Sequence, residues 1–174
     1  MERCVNALKE WTGKARATII YDSTVDEFTD DRLFDKIKGM PNVAIIGFTT
    51  DRDVFGGFYS VAVDKPDTNF FDPNIFAFSF ESHGRCMTPQ RFAVWEGLKQ
   101  NAFVKFFDSS YGFVQFWVYG FGGFRLGNEK SDSDCWYMSR GFEGVEDTTL
   151  TGQNGDREEG QVHHCARLIA VQLE

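Results

Sequence analysis

Between residues 17 and 81 the chain is a succession of short β-type runs separated by turn residues, and this pattern restricts the fold more than any other feature. Ala17-Thr18-Ile19-Ile20-Tyr21 is rich in β-branched and aromatic residues, so it predicts a strand. Residues 42–49 are almost continuously apolar, which predicts a strand buried on both faces. A polar turn, Thr50-Asp51-Arg52-Asp53, leads into a strand over 54–63, giving a hairpin. Within it, Phe55-Gly56-Gly57-Phe58 places two glycines in mid-strand, the mark of a bulge or a close backbone approach. Residues 64–73 read as a loop ending in Asp72-Pro73-Asn74. In the strand that follows, over 75–80, Phe76, Phe78 and Phe80 share one face and Ile75, Ala77 and Ser79 the other.

One helix interrupts the series, over 26–38. Thr29 is placed to cap it, Asp30 and Asp31 fall in its electropositive first turn, and Leu33, Phe34 and Ile37 form an apolar face. Gly39 ends it and Pro41 follows. Residues 6–14 suit a short helix or a lead-in strand. Over 88–100, Thr88-Pro89 favours a helix start while Phe92-Ala93-Val94-Trp95 favours a strand, and local pattern does not separate them. Further strands are predicted over 102–107, 112–119, 123–126 and 135–139, with polar loops over 127–134 and 144–160. A closing strand over 163–173 places Leu168, Ala170 and Gln172 on one face and Arg167, Ile169, Val171 and Leu173 on the other. Many short strands, few helices and no βαβ alternation predict an α+β, mostly β chain: a two-layer antiparallel β-sandwich with a few short peripheral helices. At 174 residues this is a single domain over 1–174.

Composition limits the partners. The chain is 42% hydrophobic with 19 phenylalanines, enough for a Phe-packed core. Its formal charge is −8, which repels phosphate and argues against nucleic acid as a ligand. The four cysteines (Cys4, Cys86, Cys135 and Cys165) contain no CxxC. With no apolar leader run over 1–6 and no stretch long enough for a membrane span, the expectation is reduced thiols in the cytoplasm.

Candidate chemistry is sparse. Gly56-Gly57 and Gly122-Gly123 lack the Lys and Ser or Thr that a phosphate-binding loop needs, so both read as structural. His83, Cys86, His163 and Cys165 form a legal two-His, two-Cys zinc set only if the fold brings them together. Asp51-Arg52-Asp53 and Ser131-Asp132-Ser133-Asp134 have carboxylates but not the glycine and distal glutamate of a calcium loop. Tyr111-Gly112-Phe113-Val114-Gln115-Phe116 fits the core of an RNA-recognition signature, without the basic residue that should precede it. A Cys/His-dependent redox enzyme is the leading catalytic alternative, and a single-stranded RNA-binding domain the next. The residues as a set point to no catalytic site, cofactor or metal. For a docking surface, the loops over 64–71 and 139–144 pair aromatic with polar residues, which nominates Phe70, Phe71 and Phe142 as interface residues.

Several motifs in order carry a family resemblance. Ile19-Ile20-Tyr21-Asp22-Ser23 with Glu27-Phe28 and Phe34, then the strand over 42–48, then Val54-Phe55-Gly56-Gly57-Phe58-Tyr59-Ser60-Val61, then Asp72-Pro73-Asn74-Ile75-Phe76-Ala77-Phe78-Ser79 resemble the TLDc family. Tyr119-Gly120-Phe121-Gly122-Gly123 sits where that family has a Gly-rich strand, and 165–173 where its last strand ends. The resemblance runs over 15–174 and is closest over 15–82; Val63-Asp64-Lys65-Pro66 stands where the family has a tryptophan, so the chain reads as a divergent member. The resemblance implies a two-sheet antiparallel sandwich acting as a non-catalytic protein-interaction domain. It implies roles in protection from oxidative stress or in regulating the vacuolar proton-pumping ATPase, whose subunits would be the partners, and it supplies no catalytic residues.

Overall fold

The computed structural model describes residues 2–107, 112–128, 130, 133–152 and 163–174. Two antiparallel sheets pack face to face. The strands of the first are β1 (Ala17–Asp22), β2 (Val43–Thr49), β3 (Val54–Tyr59), β5 (Phe76–Glu81), β6 (Gln90–Ala93) and β11 (Cys165–Leu173), in the spatial order β1-β11-β2-β3-β5-β6. The second has β4 (Phe70–Phe71), β7 (Ala102–Phe106), β8 (Val114–Val118), β9 (Gly122–Leu126) and β10 (Cys135–Trp136), in the order β10-β9-β8-β7-β4. Helices α1 (Glu2–Thr12), α2 (Asp30–Ile37) and α3 (Met138–Gly141) lie at the periphery. The chain is thus an α+β, mostly β, two-sheet sandwich with short helices.

Each face of the six-stranded sheet carries its own apolar cluster. Toward the second sheet, Ile45, Phe55, Ala77, Leu168 and Ala170 meet Val104, Phe116, Val118 and Phe124. On the opposite face Ala44, Ile46, Phe76, Phe78, Ile169 and Val171 are covered by Leu8 of α1. Trp11 of the same helix stacks on Phe80, with ring centroids 5.7 Å apart and planes 6° from parallel. This is why 42–49 is almost continuously apolar: β2 is central and both its faces meet packed side chains. The face assignments expected for Phe76, Phe78 and Phe80 and for the closing strand hold in the same way.

Helix α2, expected over 26–38, is confined to Asp30–Ile37 but starts at its predicted cap. Thr29 Oγ1 accepts from the Arg32 N–H at 3.3 Å, Asp30 and Asp31 occupy the first turn, and Leu33, Phe34 and Ile37 are buried. Gly39 takes φ +76°, a conformation glycine adopts at no steric cost, and donates to Val63 O at 2.6 Å. The amino-terminal segment is helix rather than strand, because its apolar residues recur at helical spacing and cover the sheet.

Several boundaries differ from the expectations, and four of the differences have a clear physical reason. The 88–100 segment is strand β6 followed by a 3₁₀ helix, Glu96–Asn101: Phe92 is buried against the sheet, and pairing with β5 overrides the favourable helix start. The strand expected over 54–63 stops at Tyr59, because the Ser60 N–H turns away to the Asp72 carboxylate. The 64–73 loop contains β4, a two-residue edge strand on β7. The strand expected over 135–139 ends at Trp136, where Tyr137 takes φ +43° and starts α3.

Candidate functional site

Two of the sequence motifs are joined in space. The Asp72 carboxylate, fully buried, accepts from Ser60 N at 2.5 Å, Ser60 Oγ at 2.9 Å and Asn74 N at 2.9 Å. Pro73 fits the second position of the turn that Ile75 N closes onto Asp72 O at 3.3 Å. The end of the Phe55–Ser60 stretch is thereby fastened to the start of the Asp72–Ser79 stretch. A buried carboxylate satisfied by neutral donors anchors loops, and the Ser60 hydroxyl is spent as one of those donors.

The glycine pair in β3 is a close approach. A Cβ at Gly57 would lie 2.6 Å from the Phe116 ring, so only glycine lets the opposite sheet's aromatic pack flat against this strand. The register shift in this pair of strands falls one residue earlier, between Val54 and Phe55. Phe55 itself is buried, edge-on to Phe124 at 5.6 Å and to His163 at 5.2 Å. At the second glycine pair, a Cβ on Gly122 would strike the Trp136 and Tyr137 carbonyl oxygens.

The candidate metal set is dispersed. His83 Nδ1 is 2.9 Å from Asp53 Oδ1, the same oxygen that Arg85 Nη2 reaches at 2.5 Å. His163 is buried on Phe55, its Nε2 without a partner, and burial drives its pKa down to about 4. Among the described residues no three His, Cys, Asp or Glu side chains converge to hold a metal. Asp53, from the first candidate calcium loop, is buried in its Arg85 contact, and Asp134 of the second pairs with Arg125. Ser131 and Asp132 lie outside the described residues.

Three of the four thiols, Cys4, Cys135 and Cys165, are held away from activation. Burial pushes the Cys165 thiol up to about 12 and raises Cys135 and Cys4 as well, opposite to the direction a reactive cysteine needs. In the RNA-recognition-like run, Tyr111 lies outside the described residues. Phe113 and Phe116 are buried between the sheets, so neither ring is offered to a base.

Asp53, His83 and Arg85 are a cluster that sequence reasoning missed. Arg85 also donates from Nε to Thr149 O at 3.0 Å and from Nη2 to Leu150 O at 3.2 Å. It thus ties the β2–β3 turn and the loop after β5 to a segment 64 residues further along the chain. Only Asp51-Arg52-Asp53 hinted at it, and nothing local marked Arg85 as the partner.

Of the nominated interface residues, Phe71 is 57% exposed, while Phe70 is half-buried and packs on the core. Phe142 is a correction: it is 0% exposed, because its backbone bridges Val94 and its ring enters the inter-sheet core. The other exposed aromatics among the described residues are Trp95 (42%), before the 3₁₀ helix, Tyr119 (66%) and Phe121 (39%), at the β8–β9 turn, and Tyr137 (37%), at the start of α3. Trp95 Nε1 donates to Ser139 O at 3.1 Å, the Arg140 guanidinium lies 4.1 Å from the Tyr137 ring centroid, and Tyr119 N donates to Asn101 O at 2.8 Å. These contacts join the Trp95 ring to α3, the Tyr137 ring to Arg140 and the Tyr119 backbone to the end of the 3₁₀ helix.

No protein-family model matches this chain, and no curated protein matches it either. Among the described residues no helix is long and apolar enough to cross a membrane.

Proposed function

We propose that this chain is a non-catalytic, TLDc-like protein-interaction domain, acting in the cytoplasm in protection from oxidative stress or in regulation of the vacuolar proton-pumping ATPase. The observation that carries the reading is the exposed group Trp95, Tyr119, Phe121 and Tyr137 on a rigid two-sheet scaffold. Solvent-facing aromatics held by fixed backbone suit a docking surface, since large rings desolvate much area at little entropic cost. Further support comes from the sandwich architecture and from the Ser60–Asp72 junction, which gives the two strongest family-like motifs a shared structural purpose.

The test is binding of the purified chain to the isolated peripheral sector of the vacuolar ATPase, followed by biolayer interferometry. Saturable binding that Tyr119→Ala and Phe121→Ala each weaken about tenfold is the expected result. No binding would overturn the ATPase assignment. Binding indifferent to both substitutions would move the surface away from these residues.

A further inference from the structure

The outward side chains of the five-stranded sheet belong to neither apolar cluster. Cross-strand register sets Phe71, Phe103, Trp117, Gly123 and Trp136 opposite one another, one row across all five strands. Two residues further along the strands, on the same face, Lys105, Gln115 and Arg125 make a second row. Asp134 closes that row by taking Arg125 through Nε at 2.8 Å and through Nη2. Between the rows lies a hollow of about 250 Å³, lined by Gln115, Trp117, Arg125, Asp134 and Trp136.

The lining has a definite chemical character. Trp117 and Trp136 give an aromatic floor, their ring centroids 6.3 Å apart and their planes inclined by 44°. The Gln115 amide has no hydrogen-bond partner among the described residues, and the Trp136 indole N–H is buried without one. The cations here are matched: Arg125 by Asp134, and Lys105 by Asp67 at 3.6 Å. The hollow is therefore polar, aromatic and locally neutral, on a chain of net charge −8.

Each competing occupant meets a physical objection. An apolar peptide face would strip water from the partly exposed Gln115 amide and return no hydrogen bonds. A nucleic-acid strand would bring phosphates to an acidic chain with no unmatched cation in the row. An uncharged sugar chain fits both rows. The C–H faces of its rings lie on aromatic rings, and its hydroxyls supply donors and acceptors to amide, guanidinium and carboxylate. Phe103 is only 4% exposed, so the rings that can meet a ligand in the hollow are Trp117 and Trp136. We propose that this face binds an uncharged hexopyranose oligosaccharide, its sugar rings on Trp117 and Trp136 and its hydroxyl edge toward Gln115 and the Arg125–Asp134 pair.

The experiment is calorimetric titration of the full chain with cellohexaose, maltohexaose and chitohexaose, with tryptophan fluorescence followed in parallel. The expected result is saturable binding of at least one sugar with a change in emission. Trp117→Ala should weaken it about tenfold and Gln115→Ala about fivefold. Gln115→Ala trims a partly exposed polar side chain, so it keeps the test sharp if Trp117→Ala perturbs folding. No binding of any of the three sugars at millimolar concentration overturns the proposal. So does sugar binding that neither substitution alters, or binding of single-stranded RNA or of a peptide that these substitutions abolish while all three sugars fail. The ATPase experiment reads Tyr119 and Phe121 instead, so the two proposals fail separately.

Discussion

At the scale of single residues, burial decides which polar groups matter. Asp72 is the acceptor for two backbone N–H groups and one hydroxyl. Replacing it by alanine strands those donors, and the expected cost is about 3 kcal/mol, read as a lower urea midpoint at unchanged slope. Asp72→Asn keeps one acceptor oxygen and should lose less. His163 is buried as the neutral imidazole, with a pKa of about 4 against an ordinary 6.5. The unfolded chain therefore binds a proton that the folded chain refuses between those values. Stability is complete above pH 6.5 and falls as pH drops toward 4, by about 3 kcal/mol in all. Urea titrations at stepped pH should show that slope in the wild type and a flatter one in His163→Gln, whatever the absolute stability of the variant. Asp22 adds a second acid loss. Its hydrogen bond to Arg167 lowers its carboxyl to about 2, so that support is full above its ordinary 3.8 and disappears as pH falls through 2.

At the scale of elements, α1 and the sheet it covers depend on each other. Leu8 is fully buried on the outer face of the six-stranded sheet and Trp11 packs against Phe76, Phe78 and Phe80. Leu8→Ala should cost about 3 kcal/mol and raise binding of an apolar dye, because the sheet beneath it is aromatic. Nothing in the helix's own sequence says which sheet it covers. The elements that could be read from sequence are those with strong local periodicity or capping. Thr29 with Asp30 and Asp31 marked α2, and the alternation of Phe76, Phe78 and Phe80 fixed the two faces of β5. The 88–100 segment resisted because Pro89 and the run from Phe92 give opposing local signals, and pairing with β5 settled them.

At the scale of the whole molecule, the last strand is structurally central. β11 lies between β1 and β2 and feeds Leu168 and Ala170 into one core and Ile169, Val171 and Leu173 into the other. Removing 163–174 should abolish cooperative unfolding and near-ultraviolet circular dichroism, since β1 would lose the one strand it pairs with among the described residues. A truncated chain that still unfolds in one sharp transition would contradict this topology. The same division runs through the candidate sites. Alternation and composition encode which side of a strand is apolar, so the sequence by itself determined the mostly β class, helix α2, the doubly buried β2 and the inward faces of β5 and β11. It could not tell an exposed aromatic from a buried one: Phe142, nominated for an interface, is buried, while Tyr119 is 66% exposed. Strand order, the Asp53–Arg85 and Ser60–Asp72 contacts, and the aromatic row on the second sheet were decided only by tertiary structure. Each joins residues far apart in the chain, and local periodicity carries no information about the partner across that distance.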